Sequence, residues 1–541
     1  MKAIRRTALC LPLLLAMGSA LGSPMAVHGW LVHTSEPAYI DRVLAAAQTY
    51  GVNHLDLSHN FVDRIDDIIA QPGLAQRVEG VARRGRRRGI KVFVWSRELN
   101  TRKPDLVLDP GKPEGRAFWQ ARQKAYRDAL RRCPSVAGVV IMFGSCPTEV
   151  WDPRITDPYW NRLSWAARVR YVTERIRNVV CNEMKRELWV RDFNHSPKQL
   201  EAIVEGLRDF PGITAFSKDA PQDFQLFYPH SFAIGAYGRT PQALEVDLNG
   251  EYWGQSAVPV SLVRYLRYRI GYGARKGVCG VVGRIDTYRN RALGTPSEIN
   301  LYAMSRLVAD PCTSEQAIYD GWLARQYGLT PGAGPARSLQ AILDRTLDFA
   351  KCTYYTLGFW TPKNQSSMPA SPDEIRNGII GKSTAIWDNR ARVTEQRLLN
   401  PDEPTVSAIM AQKARGVRLA DQNLRALQRL EPFLRKKDYD DLYAGLALAT
   451  RVARLNEAVA RAYWWCELEQ RGHHGRDRAA LDAAVNDLIR WADRIEFGDV
   501  LLPDRGRQAA KLRSFAAALR RQRAPQRAPT PSTAAPTFRL G

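Results

Sequence analysis

The chain has 541 residues, 45% of them apolar and 25% charged: long enough for more than one core, and too ordinary in balance for a disordered or small disulfide-scaffold protein. Its formal charge of +24 calls for an account. No recognition motif or interleaved aromatics accompany the basic runs, so no nucleic-acid partner is expected; a solvated basic surface is the plain reading, and attraction to acidic polysaccharide the more specific one.

Residues 1–22 combine Lys2, Arg5 and Arg6 with an apolar run from Ala8 to Met17 and the small residues Gly18, Ser19, Ala20 and Gly22. This is the order of a secretory signal peptide, so the protein is expected to be exported, to the periplasm or the exterior. No later stretch is long and uncharged enough to span a bilayer, and no integral membrane segment is expected after cleavage. Seven cysteines follow Cys10 at wide spacings without Cys-x-x-Cys, which gives neither a zinc nor a redox signature and assigns no disulfide.

From residue 28 short apolar runs at 28–32, 52–57, 90–95, 136–143, 187–191, 213–217, 243–248 and 278–284 alternate with amphipathic stretches such as 38–50, 74–88, 116–131, 165–185, 198–210 and 260–276. Apolar residues in the latter recur at helical spacing, as at Ile40, Val43, Leu44 and Ala47. Eight strands alternating with helices predict an α/β fold, a (β/α)8 TIM barrel over 23–297. A doubly wound sheet would share the alternation, but no Gly-rich phosphate loop follows the first strand. Long helical patterns then take over, as at 416–433 and 442–468, and predict an all-α helical domain over 298–519, followed by a disordered basic Ala/Pro-rich tail over 520–541. Between the helices the loop 359–371 is expected to reach the barrel mouth.

A barrel places its chemistry just after the C-terminal ends of its strands. Those positions hold His33, His59 with Asn60, Arg97 with Glu98, Ser145 with Glu149, Arg191 with Asp192 and His195, Lys218 with Asp223, Glu251, and Arg284 with Asp286. The aromatics Trp95, Trp151, Trp160, Tyr228, Tyr237, Tyr252 and Trp253 fall in or beside the same loops and suit stacking on sugar rings, with core packing as the alternative. No two histidines share metal-ligand spacing, so neither metal nor cofactor is expected, and Ser145 lacks a Gly-x-Ser-x-Gly elbow.

The segment from Ser217 through Lys218 and Asp223-Phe224-Gln225 to Leu244-Glu245 and Glu251-Tyr252-Trp253-Gly254-Gln255 resembles the central signature of glycoside hydrolase family 67, the xylan α-glucuronidases. A second block agrees: Gly280-Val281-Val282, Asp286, Arg289-Asn290, Asn300-Leu301-Tyr302-Ala303, Arg306-Leu307 and Asp310-Pro311. The resemblance covers roughly residues 28–330. It implies inverting hydrolysis, with Asp223 and Glu251 at the positions of the family's general-base carboxylates, one activating the water and the other orienting it. It further implies that Lys218 and Arg191 contact the carboxylate of a uronic acid; pairing with Asp219 or Asp192 is the structural alternative. Glu98, Asn60, Trp253, Tyr252 and Asp286 complete the candidate substrate-binding set. Dimerisation through the helical domain is also implied, with packing on the barrel alone as the alternative.

The chain departs from the family in two places. Aligned from Gly138, the family's lysine and catalytic glutamate fall on Met142 and Cys146. A thiol, with an ordinary pKa near 8.5, is a poor substitute for a tuned carboxylic acid. Glu149 is the nearest carboxylate and the candidate acid; Glu98 is the next, and loss of acid catalysis the third option. Members of the family also usually carry a domain before the barrel, whereas here the first strand follows the leader almost directly. The expected function is an exported glycoside hydrolase, α-glucuronidase-like and acting on an acidic glycan. The alternatives are a hydrolase of a neutral glycan and a carbohydrate-binding or scaffold protein that has lost turnover.

Overall fold

The computed structural model describes residues 24–523 apart from 100, 102–104, 288–289, 363–365, 474–477, 499, 501 and 503. The predicted leader, Arg289, and the predicted tail beyond residue 523 lie outside the described residues. Eight parallel strands close into a barrel: β1 (Val27–Val32), β2 (His54–Leu57), β3 (Lys91–Arg97), β4 (Gly138–Met142), β5 (Glu187–Arg191), β6 (Thr214–Lys218), β7 (Gln242–Asp247) and β8 (Gly280–Arg284), with β8 pairing back onto β1. The strands are buried on both faces, which is why they read as continuous apolar runs rather than as alternation.

Local chemistry starts the outer helices. Ser196 accepts from the Gln199 amide and Pro197 occupies the first turn of Pro197–Leu207, while Ser164 caps Trp165–Arg177 through the Ala167 amide. The first of these buries Leu200, Ile203 and Leu207, each stabilising by roughly 1.5–3 kcal/mol. Inside the barrel, Phe93, Trp95, Trp189 and Phe216 fill the lumen around a buried pair, His54 Nε2 to Asp56 Oδ1 at 2.7 Å.

The β6–β7 connection, residues 219–241, contains no α-helix. Its irregular backbone packs instead against the helical region, where the Leu226 amide donates to the Tyr355 hydroxyl and Tyr228 Oη to the Lys382 carbonyl. The helix after β8, Ile299–Ala309, lies on Val263–Arg275 and on β8 itself, so it completes the barrel's outer layer beyond the division at 297. Gly283 on β8 has the Leu248 and Met304 side chains against it, so a larger residue there would have to displace them.

Beyond this helix the described residues are mainly helical, dominated by Gly334–Tyr354, Glu403–Gln428 and Lys436–Gln470. Helix Arg505–Arg523 runs past the predicted start of the tail at 520, because Leu512, Phe515 and Leu519 give it an apolar face to bury. Among the described residues no helix is long and apolar enough to cross a membrane.

Candidate active site

In an eight-stranded barrel alternate strands supply the side chains of one layer. Arg191 ends β5 and Glu245 lies on β7, and they meet over the lumen: Arg191 Nε sits 2.5 Å from Glu245 Oε2 and Nη2 2.9 Å from Oε1. Strand register places Lys218 opposite Glu245 and Arg284 opposite Asp247. Arg284 reaches Glu245 Oε1 at 3.6 Å and makes a short ion pair with Glu251 Oε2. Aromatic rings separate these cations: Arg191 lies over Trp95 and Phe193, Lys218 between Phe193 and Phe224, and Arg284 over Phe224.

Asp223 is the focus of this arrangement. Lys218 Nζ donates to its Oδ1 at 2.6 Å, and its Oδ2 accepts a short bond from the Tyr252 hydroxyl and faces Lys382 Nζ at 3.5 Å. Burial by itself would raise its pKa, but Lys218, Lys382 and the hydrogen bonds hold the carboxyl far below the usual carboxylate range. Tyr252 moves the other way, since burial and the Asp223 charge keep it a phenol. Burial pushes the Lys218 ammonium down, against the Asp223 charge that raises it.

Glu251 is delivered by a turn that Asp247 organises, its carboxylate accepting from the amides of Asn249, Gly250 and Glu251. Gly250 has φ +88°, and a side chain there would meet the Trp253 indole, so the turn requires glycine. Left-handed backbone also occurs at His59, Ser145, Gln222, Gln255 and Ser256, all in loops at the C-terminal end of the barrel. Such strain concentrates where a scaffold fixes functional groups.

Across the mouth, Glu149 Oε1 accepts from the Ser145 amide at 2.7 Å and Oε2 from the Trp151 indole. His195 Nε2 lies 3.8 Å from Glu149 Oε1. Burial lowers the His195 pKa, opposed by the Glu149 and Asp223 carboxylates and reinforced by Lys218 and Lys382, so this half-exposed imidazole feels both sides of the mouth. Ser145 Oγ lies 3.4 Å from the same Nε2. A nucleophilic triad needs its acid on the other ring nitrogen, so this is no serine hydrolase arrangement. The Cys146 thiol turns back toward the carbonyls of Met142 and Gly144, and burial raises its pKa well above the ordinary value.

The candidates read from the sequence are therefore distributed unevenly. Asp223, Glu251, Lys218, Arg191 and Tyr252 share one network, and His195, beside Glu149, feels the charges of Asp223 and Lys218. Lys218 pairs with Asp223, while Asp219 pairs with Arg269; Arg191 pairs with Glu245 rather than with Asp192. Glu98 is not brought into this network: its Oε1 accepts from Ser96, Arg122 and Tyr126 in the barrel wall. Asp286 holds the amides of His33 and Thr34, and thereby the β1 loop, where the His33 ring stacks on His59 at 3.9 Å. Trp253 is buried beneath the β7 loop, and Asn60 is exposed on the β2 loop.

Lys382 is the site residue that sequence reasoning misses. It lies 159 residues from Asp223 at the end of helix Pro372–Gly381, and no local pattern marks it. Glu245, visible only as part of the quoted signature, turns out to be the shared partner of Arg191 and Arg284. The loop 359–371 does reach the site from the helical side: Ser366 Oγ accepts from the Gly254 amide and donates to the Glu251 carbonyl. Among the described residues no three His, Cys, Asp or Glu side chains gather as a metal site requires.

No protein-family model and no curated protein matches the sequence. Among solved structures the chain is similar to a GH138 enzyme targeting pectin rhamnogalacturonan II, at 10% identity and a TM-score of 0.59 over 89% of this chain and 63% of that one. The chain thus spans less than two thirds of that protein's length. A point mutant of Thermobaculum terrenum O-GlcNAc hydrolase (11% identity, TM-score 0.45, 92% of this chain and 94% of that one) and CpGH84B (10%, 0.43, 92% and 77%) also match. These neighbours are glycoside hydrolases, and what the chain shares with the first of them is its fold, a (β/α)8 barrel joined to a helical region.

Proposed function

We propose that the protein is an exported glycoside hydrolase that removes or cleaves next to a uronic acid, or a related acidic sugar, by direct displacement with inversion. The observation that carries this reading is the grip on Asp223: an ionised carboxylate between two lysines and a tyrosine hydroxyl, beside Glu251 on Arg284, at the C-terminal mouth of the barrel. In an inverting enzyme one carboxylate deprotonates the attacking water while an acid on the other side protonates the leaving oxygen, the two standing roughly 6.5–9.5 Å apart. Asp223 and Glu251 supply the water-activating side. Glu149, with His195 beside it, supplies the protonating side, and the cations favour an anionic sugar. A neighbour of the same fold that targets a pectic glycan supports a glycan substrate.

Incubating the purified protein with glucuronides, galacturonides and their neutral counterparts, and following the first-formed anomer by proton NMR, tests the reading. Release of an inverted uronic acid is the expected result. Release of neutral sugars alone removes the acidic specificity, and a retained anomer removes the inverting mechanism. A second reading, a carbohydrate-binding or scaffold protein, is favoured by Cys146 facing its own strand and by both Glu149 oxygens being engaged by fixed donors. Glycan binding without release by wild type decides for it. Export rests on the leader and is tested by the mature N-terminus; dimerisation through the helical region is tested by sedimentation.

A further inference from the structure

The three cations carried by the barrel strands are already committed. Arg191 is bidentate on Glu245, and Arg284 contacts Glu251 and Glu245. Lys218 is buried between two phenyl rings, donating to Asp223 and to the Gln222 carbonyl. Lys382 differs in each respect. Its side chain keeps 21% of its exposure, it stands 3.5 Å from an Asp223 oxygen that already accepts from Tyr252, and its closer partner is that neutral phenol. Partly exposed ion pairs at such distances are weak.

Lys382 is also held in place by the loop that carries Asp223. Ser371 caps helix Pro372–Gly381 through the Glu374 amide, and the helix ends at Lys382, whose amide donates to the Gly378 carbonyl. Tyr228 Oη donates to the Lys382 carbonyl at 2.8 Å, and Gln222 Nε2 to the Gly381 carbonyl at 3.4 Å.

We infer that Lys382, contributed by the helical region, is a specificity residue of the site: it receives the carboxylate of an acidic sugar, and in turning from Asp223 to the substrate it removes one of the two ammonium groups on Asp223 and makes that carboxylate a better acceptor of a proton from water. This rests on the acidic-glycan reading above and deepens it. A neutral sugar leaves Lys382 beside Asp223; a uronic acid draws it away, so that Lys218 is the remaining ammonium on the base. Acidic specificity is thereby written into the catalytic step as well as into binding.

The experiment compares wild type with Lys382→Met and Lys382→Arg, a position exposed enough to tolerate both. Calorimetric binding of D-glucuronic and D-galacturonic acid is measured against D-glucose and D-galactose, and uronide turnover is followed against pH. The expected result is uronate-selective binding by wild type that falls at least about tenfold in Lys382→Met, is partly kept in Lys382→Arg, and is unchanged for neutral sugars. In wild type the acid limb of kcat should lie at higher pH than that of kcat/KM, because bound substrate removes a cation from Asp223; in Lys382→Met the two limbs should converge. Equal losses for acidic and neutral sugars, unchanged uronate binding, or no uronate preference in wild type overturns the inference. Uronide release unaffected by Lys382→Met sinks the inference and leaves the hydrolase reading standing. Lys382-dependent uronate binding without release keeps its recognition role and removes both the catalytic step on Asp223 and the hydrolase reading.

Discussion

The two sides of the barrel mouth are built on different principles. The Asp223 and Glu251 side is assembled from strands β5 to β8 and the helical region, and its charges are buried and paired across elements far apart in the chain. The Glu149 side is local: its carboxylate is held by an amide and an indole of its own loop, and its remaining neighbour is the half-exposed His195. Desolvating a charge costs several kcal/mol unless a partner is fixed in place; the first side meets that cost with tertiary partners, the second with donors from its own loop. The first side is therefore rigid and committed to ionised carboxylates. The second is set by its own loop, with the half-exposed His195 as its outward neighbour.

Neutralising the carboxylates of the Asp223 side should have the largest effect. Asp223→Asn and Glu251→Gln should each lower uronide turnover by about a thousandfold or more in steady-state assays, the scale of a lost general base with its charge; activity near wild type in both would place the chemistry elsewhere. Next comes the buried pair. Arg191→Ala leaves Glu245 short of its main partner and should cost about 3–5 kcal/mol in urea unfolding, whereas a loss under about 1 kcal/mol would mean the network tolerates an uncompensated charge.

On the Glu149 side the effect is smaller and depends on the leaving group. Glu149→Gln should slow poor leaving groups by about a hundredfold while sparing nitrophenyl glycosides, which need no protonation; a uniform loss would remove its role as acid.

The last effect is a slope with pH. Burial pushes Asp286 up to about 7, overcoming the His33 and Thr34 amides and the arginines nearby. An unfolded aspartate loses its proton near pH 3.9, so between about 4 and 7 the folded state retains a proton that the unfolded state has released, and this contribution makes stability fall as pH rises. Relative to wild type, Asp286→Asn should gain stability across that window by no more than about 1.4 kcal/mol per pH unit; a flat difference in unfolding free energy would contradict the burial argument.

Much of this architecture is legible in residue order alone. Eight apolar runs at regular intervals leave few alternatives to the barrel, because strands buried on both faces must be apolar throughout and their crossovers must be amphipathic. The same regularity announces where polar loops fall, and hence the neighbourhoods of Asp223, Glu251, Lys218 and Arg191. Strand-end position does not tell which way a side chain turns. Glu98, one residue past the end of β3, faces Arg122 and Tyr126 in the wall. Trp253, an apparent sugar platform, lies under its own loop.

The barrel, the helical region after it and the chain positions of the mouth follow from hydrophobic periodicity, which is local and so can be read from residue order. Tertiary structure alone decided the pairing of charges. Glu245 meets Arg191 because alternate strands share a layer of the lumen, and Lys382 meets Asp223 because a loop without a helix docks the helical region against the mouth. Electrostatic partnership depends on distance through space, and a separation of 159 residues leaves no trace of it in local pattern.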